Sequence, residues 1–415
     1  MNFRSRFILI TIFTLTISFV LHKLFYDSRE NKNWIGPYLS SAANLQMFGS
    51  FQIDEAKVID FKELNPREQY HYQFKKSDNL SSYTHNPIGY SYIIRIAATM
   101  FPFLGNSESL ILFQVLMHLF ISLLILYQFR TTNRFILIFS IFYVCNPFIL
   151  YFVVLNYYYF WQCIPGFMMI YIILSQPKRQ WIVIMCTIIL LFATLARPTI
   201  LFLSLFTLIL LYRKYSVTFA TLTIAISTLF FILINKPTEK IIWHTVYVGI
   251  GAYPNSNVSY LSDNFGYQLY RDSTGTELNA SLGGNYYDDS VIKRYSEITK
   301  NTAIGILKKD PALFIRNALS NTFQCFSIGY VKTNSPILNI ISAILGLLYC
   351  ILLWKSKQNF IIVSILLYAF MFFVYYPPIP AYLFGAYILL VFSFYNVLSY
   401  YKPQFAPPIT FKYPF

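Results

Sequence analysis

Apolar positions run almost without interruption through most of this chain, and polar ones gather in a few short connectors and two long islands. Runs of about 15 to 20 apolar residues are the length a helix needs to cross a bilayer core. Taken as spans, they predict ten membrane helices, at roughly 7 to 25, 108 to 127, 134 to 153, 158 to 175, 181 to 196, 198 to 212, 217 to 235, 335 to 354, 358 to 375 and 381 to 400. The first follows a basic start and has no small-x-small cleavage site behind it, so it reads as an uncleaved span rather than a signal peptide. The two either side of Ala196-Arg197-Pro198-Thr199 are short and predict a tight hairpin. Residues 87–104 read as an interfacial or re-entrant helix, with Arg95 reaching back to the surface.

The islands divide the chain into three parts: a membrane module, residues 1–235, that includes the first loop at 27–86; a second loop at 236–333; and closing spans with a short tail at 334–415. In the first loop, Gly36-Pro37 precedes a predicted amphipathic helix from Tyr38 to Met47. The second loop opens with Trp243-His244 and is rich in Gly, Asn and Tyr through Tyr287. It then turns helical from about Ser290 to Ser320, with a restart at Asp310-Pro311. The fold class expected is an all-α polytopic membrane protein, two loops carrying short interfacial helices.

Composition agrees: 56% hydrophobic, 20% aromatic and only 12% charged is a membrane protein's make-up. The net charge of +15 raises the question of nucleic acid, and the placement of the charges excludes it. Of 17 acids, 16 lie in the two islands, eight in each, where basic residues number 7 and 10. Short connectors and tails hold acid-free basic clusters: Arg4 and Arg6, Arg130 and Arg134, Lys178 and Arg179, Arg213 and Lys214, Lys355 and Lys357, Lys402 and Lys412. Positive connectors stay in the cytoplasm, so both islands are expected outside it, in a multi-pass protein of the cell membrane. In a bacterium that would be the inner membrane. The five cysteines are scattered without a CxxC pair, no P-loop or GxGxxG occurs, and no cofactor is expected. A divalent cation has only the lone Asp288-Asp289 pair in its favour.

Four places offer chemistry. Asp54-Glu55 places adjacent carboxylates near a membrane surface, where one can accept a proton from an attacking hydroxyl; the plain alternative is solvated loop acids. His85, in Thr84-His85-Asn86-Pro87-Ile88-Gly89-Tyr90, stands where a loop meets the interfacial helix, at the depth of a lipid phosphate. Arg197 is the one arginine between Gln180 and Tyr212. A cation in such a setting is costly, and its natural partner is a phosphate, the alternative being an arginine snorkelling at a hairpin tip. In the second loop, Trp243, His244, Asp263, Arg271, Asp272, Asp288 and Asp289 form a suggestive set. The run Tyr157-Tyr158-Tyr159-Phe160-Trp161 reads as an aromatic belt at a helix end, a surface on which a sugar can also stack.

These phrases together resemble a known family. A basic first span, a loop with Gly36-Pro37-Tyr38-Leu39-Ser40-Ser41-Ala42-Ala43-Asn44-Leu45, and Asn86-Pro87-Ile88-Gly89-Tyr90 opening a helix are similar to the start of GT-C superfamily glycosyltransferases. That group includes the protein mannosyltransferases and aminoarabinose transferases. Asn146-Pro147-Phe148-Ile149-Leu150-Tyr151, Ala196-Arg197-Pro198-Thr199, Trp243-His244 to Gly251 and Lys309-Asp310-Pro311 extend the resemblance over most of the chain. It implies a transferase, inverting in outcome, that moves a sugar from a polyprenyl-phosphate donor to a glycan, lipid or protein outside the cytoplasm. Its partners would be the donor, membrane lipid and that acceptor. Tyr38, His85, Arg197, His244 and Asp263 would be the substrate-binding residues. The family's catalytic Asp precedes the Tyr of the first loop helix, and here that position is Ile35, with no acid between Glu30 and Asp54. Asp54 and Glu55 are the favoured substitutes, Asp27 and Glu30 the other choices. The competing readings are an O-antigen polymerase or ligase, whose functional arginines concentrate in outer loops, and a lipid or polysaccharide transporter or flippase. The latter needs ionisable groups within its spans.

Overall fold

The computed structural model describes residues 3–25, 32–45, 51–82, 88–175, 179–212, 242–278, 289–327, 335–370 and 379–404, with isolated positions between 218 and 229. Among the described residues the only strands are β1 (Gln52–Ile53) and β2 (Ser81–Ser82), an antiparallel pair with Gln52 opposite Ser82 and Ile53 opposite Ser81. Everything else regular is helical. The chain divides into two compact units, residues 1–236 with 387–415, and residues 237–386.

The first unit holds α1 (Phe3–Phe25), α2 (Lys32–Ala43), α3 (Glu55–Glu63), α4 (Pro66–His71), α5 (Gly89–Met100), α6 (Asn106–Gln128), α7 (Asn133–Phe139), α8 (Pro147–Val153), α9 (Ile164–Ser175), α10 (Gln180–Ala196) and α11 (Leu201–Tyr212). In the second lie α12 (Ile242–Gly249), α13 (Asp263–Thr274), α14 (Asp289–Lys309), α15 (Pro311–Gln324), α16 (Pro336–Lys355) and α17 (Asn359–Ala369). The boundary at residue 387 falls inside α18 (Pro380–Tyr401).

Among the described residues five helices are long and apolar enough to cross a bilayer: Arg4–Leu24, Asn106–Gln128, Tyr158–Ser175, Pro336–Lys355 and Pro380–Tyr401. A sixth is gained if Asn133–Val144 and Pro147–Val153, bent by 53°, are one broken span. Of the ten expected spans, five or six thus meet this test among the described residues. Those at 181–196 and 198–212 are apolar helices too short to qualify; of that at 358–375 only Asn359–Ala369 is a described helix, with 371–375 outside the described residues, and that at 217–235 lies largely outside them. Pro198 limits α10: it forces Arg197 into an extended conformation, φ −146°, and ends the helix after 17 residues. At 1.5 Å per residue that is about 26 Å, short of the ~30 Å hydrocarbon core. By the same measure α5, with 12 residues, reaches only about 18 Å. The chain has the make-up of a multi-pass membrane protein. Ile8, Ile12, Phe13, Phe19 and Leu24 of α1, and Ile337, Ile344, Leu345 and Leu348 of α16, stand exposed, an apolar surface suited to lipid.

The bend between α7 and α8 contains a π-helical turn, Ser140–Val144, closed by the Cys145 amide donating to Ser140 O over 2.8 Å. Irregular backbone in an apolar interior needs replacement partners, and α6 supplies them. His118 donates from Nε2 to Val144 O at 3.0 Å. The Gln114 amide donates to Val153 O (2.9 Å) and Leu155 O (2.6 Å), and the Trp161 indole donates to Gln114 Oε1 (3.1 Å). The aromatic run 157–161 is thus packed inward rather than forming a belt: Tyr158, Phe160 and Trp161 are all buried.

The two ends of α1 keep different company. Arg6 donates to Asn133 at the head of α7, whereas His22 meets the Tyr70 hydroxyl of α4 at 3.1 Å. Basic connector and acidic loop are held at opposite ends of one helix. The loop helix α2 begins a turn earlier than Gly36-Pro37 suggests, at Lys32, with Pro37 inside it. Burial of Ile35, Tyr38, Leu39 and Ala42 offsets the one hydrogen bond that proline cannot make. It also ends earlier than the expected Met47: the helix stops at Ala43, and Asn44 and Leu45 are no longer helical.

In the second unit, Val246, Val248, Ile250, Val258, Ala303 and Leu313 form a core shared by α12, α14 and α15. The helical restart falls where Asp310-Pro311 predicts it: the Asp310 carboxylate accepts from the Leu313 amide at 3.1 Å and caps α15. Helix α13 was not foreseen in the Gly/Asn/Tyr-rich stretch. It runs from a Ser262 N-cap to a left-handed Gly275.

Candidate functional site

The site in the first unit is built where two helix ends meet. Helix α10 stops at Ala196, and α5 starts at Gly89 directly against it. A methyl group on Gly89 would strike the Leu195 backbone and lie 2.5 Å from the Ala196 amide nitrogen. Only a glycine lets the ends approach so closely. The next residue on each side, Tyr90 and Arg197, is thereby brought to one place. The Arg197 guanidinium carbon lies 4.5 Å from the centre of the Tyr158 ring.

Tyr158 belongs to a cluster with Tyr90 (5.9 Å between ring centres) and Tyr38 (6.1 Å), and Tyr38 and Tyr90 meet edge to face at 5.1 Å. Phe51 closes on Tyr38 at 5.6 Å, and Ser91 donates to the Tyr38 carbonyl at 3.3 Å. The structure thus brings Tyr38 and Arg197, two of the expected substrate-binding residues, into one cluster. Tyr38 is 2% exposed, its ring enclosed within the cluster. Tyr90 and Tyr158 stood in phrases the sequence already marked, the Gly-Tyr step and the tyrosine run, but nothing in the sequence joined them to Arg197. A ring face attracts the half-buried guanidinium by about 0.5 to 2 kcal/mol without neutralising it. A fixed cation on an aromatic floor is suited to a phosphate carrying an apolar or sugar group.

Asp54 and Glu55 lie at the start of α3. Asp54 is buried and fully occupied: it caps α3 through the Lys57 amide (3.1 Å), accepts from Ser77 Oγ (2.5 Å) and pairs with Lys57 Nζ (3.3 Å), while its own amide donates to Ser40 Oγ. Burial works to raise this carboxyl, but the Ser77 hydrogen bond and the Lys57 amide and ammonium outweigh it and hold the group below the usual range. A carboxylate so stabilised is a poor base. Glu55 is exposed and accepts one hydrogen bond, from Ser81 Oγ at 2.7 Å. The described contacts of both are made within the first loop and α2. Ser40 and Gly36, which face α3, are each two residues from Tyr38 and so lie on the opposite side of α2 from its ring.

His244 and Asp263 meet in the second unit. His244 Nε2 is 3.2 Å from Asp263 Oδ1, and its Nδ1 is bonded to the Tyr295 hydroxyl. Burial works to raise the Asp263 carboxyl, and the hydrogen bond and charge of His244 overcome it and bring it below the usual range. His85 and Asp288, like Asp27 and Glu30, lie outside the described residues, and Asp289 opens α14. Among the described residues no three His, Cys, Asp or Glu side chains gather as a metal would require.

Compared with known proteins, the chain matches no family model, no curated protein and no solved structure. A functional reading therefore rests on the residues themselves, above all on the arginine held over a tyrosine floor where two helix ends meet.

Proposed function

We propose that the chain is a membrane glycosyltransferase that takes a sugar from a polyprenyl-phosphate donor and passes it to an acceptor outside the cytoplasm. The observation that carries this reading is Arg197 on the Tyr158 ring, at the contact of the Gly89-Tyr90 and Leu195-Ala196 helix ends. An arginine set among buried tyrosines in a membrane protein is suited to an anionic ligand, and the guanidinium fork matches a phosphate. A lipid-borne donor supplies that phosphate at the membrane and needs no nucleotide-binding loop.

In the reaction, a carboxylate of the first loop takes the proton from the acceptor hydroxyl. The acceptor oxygen attacks the anomeric carbon as the bond from that carbon to the phosphate oxygen breaks, which inverts the centre. The electron pair leaves with the phosphate, and Arg197 stabilises the charge that develops there. The test is a transfer assay on the protein in lipid nanodiscs, supplied with polyprenyl-phosphate-linked sugars and a mixed pool of envelope glycans and lipids. Release of polyprenyl phosphate coupled to labelling of an acceptor supports the reading, and no release with any donor sugar sinks it.

A further inference from the structure

We propose that the second unit carries a binding pocket for a neutral saccharide, centred on Tyr267 of α13 and independent of the transfer reading. Asn264, Tyr267, Gln268 and Arg271 recur at the spacing that puts them on one face of that helix. The helix ends at Gly275, whose φ of 70° and amide bond to Arg271 O (2.7 Å) turn the chain back. That return places Glu277 and Leu278 opposite, and together the six residues line an open pocket of about 250 Å³. This is below the usual range for drug-sized ligands and on the scale of one sugar ring.

Tyr267 is a prepared platform. The His244 ring lies parallel to it, 5.7 Å between centres and 10° between planes, and His244 is itself fixed by Tyr295 on one nitrogen and Asp263 on the other. Gly266 keeps the space clear: a methyl there would strike the Tyr295 hydroxyl and come within 2.6 Å of His244 Nδ1. An ordering cost that a ligand would otherwise bear is already met.

The remaining lining decides the ligand. An aromatic face beside side-chain amides matches a pyranose, whose C–H face packs on a ring while its hydroxyls take and give hydrogen bonds. Arg271 by itself would favour an anion. Its guanidinium is 3.6 Å from Asp272 and 3.9 Å from Glu277, so the local charge is not positive and a phosphate is disfavoured.

The experiment is saturation-transfer NMR on the full chain in nanodiscs with D-glucose, D-galactose, D-mannose and N-acetyl-D-glucosamine, and with inorganic phosphate as the anionic probe. Saturable contact through the ring protons of at least one sugar, without competition from phosphate, is the expected result. Tyr267→Ala should weaken it about tenfold or more, with Tyr267→Phe within about threefold of wild type, as loss or retention of an aromatic platform predicts. The exposed Gln268→Ala, which does not threaten folding, should weaken it as well. Binding of none of the four sugars, displacement by phosphate, or wild-type binding by both Tyr267→Ala and Gln268→Ala would overturn the proposal.

Discussion

Gly89 of α5 packs so closely on the Leu195 backbone of α10 that no side chain fits between them, and the residues that follow each helix end, Tyr90 and Arg197, both meet the Tyr158 ring. Gly89→Val drives the two helix ends apart, at a cost of about 1 to 3 kcal/mol for overpacking. A lowered thermal midpoint in detergent checks the packing. Activity in the protein that remains folded should also fall, because Arg197 and the tyrosine floor no longer share one geometry.

Asp54 and Glu55, adjacent in sequence, should behave oppositely. Asp54→Ala removes a helix cap and two side-chain partners and should destabilise by about 1 to 2 kcal/mol. Because the folded carboxyl titrates below its ordinary range, its contribution is complete above that range and disappears as pH falls through the folded value. The stability gap between wild type and Asp54→Ala should therefore hold from pH 7 to about 5 and close below about 4. Glu55→Gln, at an exposed side chain, should leave stability within about 0.5 kcal/mol.

His118 donates to Val144 O inside the bend of α7 and α8. Replacing it by Phe keeps the ring and strands a buried carbonyl, at about 1 to 3 kcal/mol. Thermal unfolding measures that cost. A midpoint equal to wild type would mean another group, such as water, satisfies the carbonyl.

In the second unit Gly346 lets α16 pass against the Phe323 carbonyl of α15, beside a buried network in which Asn339 donates to Ala252 O at 2.8 Å and Gln324 donates to Asn339 at 3.3 Å. Gly346→Leu should destabilise by more than the exposed Leu345→Ala on the same helix. Comparison of the two midpoints reads this directly.

Much of the helical pattern could be read from apolar run length, since that signal is a sum over many residues. The break at Arg197-Pro198 was legible too, as two short runs either side of a proline; what run length could not give was the π-turn after Phe139, which bends the run at 134–153 into two pieces. The α13 helix was hidden by its Gly, Asn and Tyr content, although Ser262 and Gly275 mark its two ends. Arg197 was legible as a costly cation. Its tyrosine partner was not, because Tyr158 lies 39 positions away and only folding shows that its ring faces inward. Asp54 looked like a base from its charge; that its lone pairs are occupied by Ser77 and Lys57 is a fact of three dimensions.

The most direct measurement is the rate of sugar transfer from a polyprenyl-phosphate donor by wild-type, Arg197→Lys and Arg197→Ala proteins in nanodiscs, each matched for thermal midpoint. If Arg197 holds the leaving phosphate, Arg197→Ala loses about 10²- to 10³-fold in kcat, and Arg197→Lys, which keeps the charge without the fork, falls between. Unchanged kcat in Arg197→Ala would contradict the account.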